Sequence, residues 1–211
     1  MATIPSTFST ETGAIASYDF NDFAAGTGIQ TFFGFNRSKP SSDVNSYALS
    51  TASPYSDLVS SSGNISVNNL FNCDFDTEEF LLPRIVKGTA TINVPWRVVN
   101  SSSSNNNYVQ CALKKYDGTT ATTIATASGA IKSSASGLMR VELIQIRDID
   151  PYPIPAGNKL RLTVSVDANT AGNSPIAHIG HDPQNRADDY FTTGNFPTTT
   201  LKAWIPFLLD A

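Results

Sequence analysis

The chain has 211 residues, of which 40% are apolar and only 15% charged, with a formal net charge of −4; that balance excludes both the charge-rich, apolar-poor disordered class and the long charged helix. Ser, Thr and Asn supply 63 residues, while Lys, Glu and Arg, the usual filling of exposed helix faces, are scarce, which points to strands and turns. The acidic balance, with no Lys/Arg cluster to reverse it locally, removes the counterion-release drive toward nucleic acid, so no DNA or RNA partner is expected.

The chain opens MATIPSTFSTETG, polar and without Lys or Arg before Arg37, so no secretory signal is expected. Its longest apolar stretch, Ala203 to Leu209, is interrupted by Pro206 and is too short for a membrane helix. A soluble protein with no membrane partner is the expectation. Residues 1–13 read as a mobile N-terminal arm and residues 14–211 as a single domain. Ile15 to Phe20 and Ile29 to Phe35 read as aromatic-rich strands; residues 41–66, dominated by Ser, Asn, Asp and Pro, are looser. Asp76 to Leu82 is the one place for a helical turn, stopped by Pro83.

From Val86 to Val98, alternate residues (Val86, Ala90, Ile92, Val94, Trp96, Val98) share an apolar face while Lys87, Thr89, Thr91, Asn93 and Arg97 take the other, the signature of a long half-buried strand. Pro95 lacks a donor and places that end at a sheet edge or bulge. Val109, Cys111 and Leu113 give another strand, entered through SSSSNNN at 101–107, so Val86 to Tyr116 reads as a hairpin with a long tip. Asp117-Gly118 marks a turn into TTATTIATAS, a Thr-rich strand near an edge. The apolar phase slips between Leu143 and Ile144, which a β-bulge would explain. PYPIPAG at 151–157 is a rigid lead into the Leu160 to Val166 strand. Leu201 to Leu209 is the last strand, with Trp204 and Leu208 facing away from the presumed core.

Eight to ten strands separated by polar turns, with no helical stretch of ten residues, predict an all-β, two-sheet antiparallel sandwich with a flexible N-terminal arm, most commonly a jelly roll at this size, with an immunoglobulin-like sandwich or a closed barrel as the alternatives. Cys73 and Cys111 could make one bridge, but the phase of Cys111 favours reduced core thiols. The sequons at Asn36, Asn64 and Asn100 are as many as this composition yields by chance.

One cluster carries candidate chemistry, IAHIGHDPQNRADDY at 176–190, with His178, His181, Asp182, Asp188 and Asp189. Imidazole and carboxylate suit zinc or iron, so His178, His181 and Asp182 are the metal candidates; Asp182, Asp188 and Asp189 offer oxygens for calcium but without its regular loop. The structural alternative, which the spacing favours, has Asp182-Pro183 opening a turn, His181 serving the loop and Arg186 pairing with an aspartate. Glu142, on a strand, and Asp182 are the carboxylates a glycosidase reading would use; Glu11, Glu78 and Glu79 read as solvated. No nucleophile elbow or phosphate-binding loop is present, so no catalytic residue and no cofactor are expected. Trp96 and Trp204 can line a sugar-binding face, although an aromatic on a strand more often belongs to a core or subunit interface.

The ordered set ASYDFNDFAAGTGIQTFFGFN, LPRIVKGTATINVPW, KLRLTVSVDA, AHIGHDPQNR and TTTLKAWIPFLLD resembles β-rich phage and metagenomic virus proteins of the virion, the jelly-roll decoration, cement or appendage type. The resemblance implies a non-enzymatic structural protein, made in the host cytoplasm and located in the virion, that stabilises a capsid. It implies the major capsid protein or other virion proteins as partners and a trimer or other symmetric ring. Trp204 and Leu208, too large to leave in water on the face opposite the presumed core, are expected to be covered by a symmetric neighbour, preferably in a homotrimer, or by the N-terminal segment. The alternative is a host-receptor or glycan-binding fibre module; a glycan hydrolase ranks third.

Overall fold

The alternation from Val86 to Val98 is realised in a computed structural model of the chain, which describes residues 27–37, 46–66, 70–99, 106–133, 139–168, 175–187 and 198–208. Twelve strands run in the order β1 Thr27–Arg37, β2 Ser46–Ser50, β3 Ser60–Asn64, β4 Phe71–Asp76, β5 Arg84–Val99, β6 Asn106–Tyr116, β7 Ala121–Ser128, β8 Lys132–Ser133, β9 Met139–Ile154, β10 Lys159–Ala168, β11 Ile176–Gly180 and β12 Lys202–Leu208. No helix occurs among the described residues.

Neighbouring strands follow the path β3-β11-β5-β12-β1-β2-β4-β10-β6-β7, with β9 on β5 and β8 on β6. The ladders are antiparallel except where β2 meets β4, a parallel bridge of two residue pairs, Tyr47 with Phe75 and Ala48 with Asp76. This short bridge is the join between two groups of strands, one built around β5 and β12 and the other around β10 and β6. Their inward side chains form one apolar cluster: Val86, Ile92, Val94 and Trp96 from β5 with Ala203, Ile205 and Phe207 from β12, and Leu160, Leu162 and Val164 from β10 with Val109, Cys111 and Leu113 from β6. Two strand groups sharing one core fit the expected two-sheet arrangement. Each fully buried Val, Leu or Ile contributes about 1.5–3 kcal/mol, and a slip of one residue would put the whole set in water, so burial fixes the register.

Several local expectations need correction. The Val86 to Tyr116 hairpin does not form: β5 pairs with β9, β11 and β12, and β6 with β7, β8 and β10. Consequently Pro95 is at neither an edge nor a bulge. One side of β5 pairs with β12 up to Asn93 and with β11 from Trp96 onward, so Pro95 sits at the changeover, where a missing donor costs least. The phase slip between Leu143 and Ile144 is absorbed by leaving Leu143 exposed, since Arg97 to Ala90 pair with Met139 to Ile146 without interruption. The shifts in register come later, on both sides of Gly88, whose φ of +108° suits glycine, and near Asp148, at φ +53°. PYPI belongs to β9 itself rather than to a separate lead, and residues 77–82 are irregular, not a helical turn. Residues 1–13, the Ile15 to Phe20 strand, residues 101–105, Asp188 and Asp189 lie outside the described residues.

Candidate functional site

β11 delivers the histidine cluster. His178 is opposite Ser62 of β3 and Arg97 of β5 and is buried. His181 follows the strand; its backbone N–H donates to the Val59 carbonyl at 3.0 Å, and its Nε2 lies 2.8 Å from Ser61 Oγ. The ring packs edge-on against Tyr47 and Phe75, with centroids 5.4 and 5.9 Å away. Burial pushes the Tyr47 hydroxyl up to about 12, with Ser61 and Cys73 as its hydrogen-bonding neighbours. Burial likewise pushes the Cys73 thiol up to about 12. A serine beside a histidine is the start of a nucleophile pair; here both are buried.

Asp182, the residue that would orient such a pair, is turned elsewhere. Its fully buried carboxylate accepts from the Gln184 N–H at 3.1 Å and from the Arg186 N–H and Nε, both at 2.8 Å. Arg186 also donates to the Tyr55 hydroxyl at 2.6 Å and to the Ser56 carbonyl, and its guanidinium lies 4.1 Å over the Tyr55 ring. The Asp182 carbonyl accepts from Asn185 N at 3.0 Å, closing the turn at Pro183, and from Thr200 Oγ1 at 2.9 Å. Ser56 Oγ accepts from Asn36 N. The cluster therefore ties three loops, around residues 53–59, 181–187 and 198–201, to the end of β1. Among the described residues, no three His, Cys, Asp or Glu side chains come together as a metal-holding group. Glu142 is on β9, where its Oε1 accepts from Ala130 N at 2.8 Å; β5 lies between β9 and the strand that leads to Asp182, so the two carboxylates do not form a pair across a cleft.

Trp204 and Leu208 share the outer face of β12, both half-buried, while Ala203, Ile205 and Phe207 enter the core. Their surroundings differ. Around Trp204 a cleft of about 660 Å³ is lined by Phe33, Asn93, Asn185, Thr200 and Lys202 among others, with the Lys202 ammonium 5.3 Å from the Phe33 ring centroid. Leu208 is at the other end of the strand, opposite Thr27. There Phe80 packs against Phe207 at 6.0 Å, and the next two residues, Leu81 and Leu82, are 91% and 70% exposed. Sequence reasoning missed Phe33, Asn93 and Asn185 as neighbours of Trp204. The polar phase of Asn93 was visible, but only the pairing of Asn93 with Lys202 brings it to that place.

No protein-family model and no curated protein matches the chain. Among solved structures it is similar to an aminopeptidase from the marine sediment archaeon Thaumarchaeota archaeon, with a TM-score of 0.54 and 8% identity over 84% of this chain and 36% of that one. A CocE/NonD family hydrolase from Staphylococcus aureus has a TM-score of 0.47 and 12% identity over 87% of this chain and 37% of that one. The VP2 subviral particle of infectious bursal disease virus has a TM-score of 0.26 and 11% identity over 77% of this chain and 40% of that one. The first likeness shows a shared fold. The chain spans little more than a third of that aminopeptidase's length.

Proposed function

We propose that this chain is a non-enzymatic virion protein, a decoration or cement component that stabilises a capsid by docking on the major capsid protein or another virion protein. The observation that carries this reading is the state of the groups capable of chemistry. Ser61, His181 and Asp182 are buried and bonded to one another's loops, which makes them anchors of the fold, whereas Leu81 and Leu82 are large aliphatic side chains left in water. Leu81 and Leu82 follow Phe80, which packs on Phe207 toward one end of β12. Thr27, to which residues 1–26 are joined, pairs with Leu208 at that same end. Large aliphatic side chains in water favour burial against a partner, and this end is the attachment surface. A homotrimer is the assembling unit, with Leu208 at the contact between copies. The sequence resemblance to virion proteins supplies the particle.

The experiment compares particles assembled with the wild-type chain, with a Leu81→Ser/Leu82→Ser variant and without the chain. Particles lacking the chain, or carrying the variant, should release their contents at lower temperature while adsorbing to cells normally. Unchanged particle stability with lost adsorption would overturn the reading in favour of a receptor-binding module. Turnover of aminoacyl or ester substrates that disappears on Ser61→Ala would overturn it in favour of a hydrolase.

A further inference from the structure

We infer that the cleft at the Lys202 end of β12 is a carbohydrate-binding site, in which a neutral sugar ring stacks on Trp204. The starting point is the position of Trp204. It lies on the face of β12 opposite Ala203 and Ile205, contributes nothing to the apolar cluster, and remains half-buried. A large indole kept at a water-exposed sheet face offers an apolar plane together with one N–H donor, the combination found where a ligand is apolar on one side and wet on the other.

The rest of the lining selects the ligand class. Among the described residues, no Asp or Glu lines the cleft, and a metal ion would call for such oxygens. Lys202 is the one cation among the described lining residues, and its ammonium already lies over the Phe33 ring, which is poor provision for a phosphate or a polyanion. A peptide bound by strand addition would need an open strand edge, yet here β12 is paired with β1 on one side and β5 on the other. What remains is amides and hydroxyls beside aromatic rings. A pyranose has the matching shape, with C–H groups on its faces and hydroxyls around its rim.

The amides are also held in place. Asn93 Nδ2 donates to the Thr200 carbonyl at 3.3 Å. Asn185 Oδ1 accepts from Thr199 N at 2.8 Å and Thr198 Oγ1 at 2.9 Å, so its NH₂ is the side left to donate. Thr200 is fixed in turn by its hydroxyl, which donates to the Asp182 carbonyl. The buried clamp of Asp182 and Arg186 thus holds one wall of the cleft, and a wall that is already ordered keeps the entropy cost of binding low. This site lies at the opposite end of β12 from Leu81, Leu82 and Leu208, so occupying it does not compete with attachment through that end.

The test is native affinity electrophoresis of the full chain in gels containing mannan, dextran, galactan or a β-1,3-glucan. At least one of these should retard the protein. Trp204→Ala should weaken that retardation by about tenfold or more, Asn93→Ala by a smaller factor, and Trp204→Phe should keep part of it, while Ile131→Ala, at an exposed position beside β8, should leave it unchanged. Trp204→Phe, which keeps most of the buried apolar area, should melt close to the wild type and so separate lost binding from lost folding. Mobility unaffected by all four polysaccharides, or equal retardation of wild type and Trp204→Ala, would overturn the proposal. A changed sedimentation coefficient for Trp204→Ala would overturn it too, by making the cleft a contact between copies. Each of these failures leaves the attachment reading standing, since that reading is decided by particle stability and by Leu81 and Leu82.

Discussion

Cys73 and Cys111 face the same residue, Val164, from its two sides: β4 and β6 flank β10, and in both ladders Val164 is the partner. Two strand spacings separate the cysteine backbones by about 9.5 Å, beyond the roughly 7 Å at which a disulfide becomes impossible without backbone movement. Both thiols are buried and free.

The first prediction follows from that geometry. Native protein should not react with a thiol reagent, and two thiols should appear on unfolding. Burial raises Cys73 from 9.0 to about 12 and shifts Cys111 in the same direction. For an acid whose folded pKa exceeds its unfolded one, stability is fully present below the unfolded value, near 9, and is lost as pH rises toward the folded value. Each thiol can remove up to about 1.4 kcal/mol per pH unit in that window. The Tyr47 hydroxyl, raised from 10.0 to about 12, acts with the same sign. Urea midpoints should therefore fall between about pH 8 and about pH 10.5, and a Cys73→Ala/Cys111→Ala variant should show a flatter profile.

Arg186→Ala should cost about 2–4 kcal/mol of folding stability, because it leaves the fully buried Asp182 carboxylate without its cation. Arg186→Lys should not restore it, since a single ammonium cannot reach Asp182, the Tyr55 hydroxyl and the Ser56 carbonyl together. Chemical denaturation of the three proteins checks both statements.

A Cβ on Gly34 would stand 2.4 Å from Leu201 Cδ2 and 3.2 Å from Phe75 Cδ1. Gly34→Ala should therefore destabilise by about 1–3 kcal/mol through overpacking, and Leu201→Ala by about 2–5 kcal/mol through a cavity. The double variant should lose clearly less than the sum, because the new methyl occupies part of the vacated space. Equilibrium unfolding of all three closes the cycle.

Sedimentation of the purified chain should give a trimer that chelator leaves intact. Dissociation in chelator that zinc or calcium reverses would instead make ligands of residues in the 178–189 segment. A Leu208→Ser variant should shift the equilibrium toward monomer, readable as a lower sedimentation coefficient at the same protein concentration.

The sequence by itself determined the elements whose signal is local. Period-2 alternation marked β5, β10 and β12, because a strand with one buried face must write that face into every second residue. Asp117-Gly118 marked its turn, where the aspartate accepts from Thr119 and Thr120 at 2.9 and 2.7 Å. Weak apolar content placed β7 at the edge it occupies. The turn at Asp182-Pro183 and the pairing of Arg186 with an aspartate were legible for the same reason, since both partners lie within four residues.

Tertiary structure decided everything that depends on pairing across long separations. That β5 joins β9, β11 and β12 rather than β6 is set by which apolar faces bury together, not by the turn that follows β5. The short strands β2 and β3 carry little alternation and exist because the ladders to β1 and β11 pair them, with Leu49 and Ile65 anchored in the core. Likewise Ser61 reaches His181 across 120 residues, and Asn93 meets Lys202 across 109 positions. An alternating pattern tells a strand which face to bury, but every neighbour of like pattern satisfies it equally well. Only the closure of the whole core selects one partner and one register, and the clamp and the cleft are products of that selection.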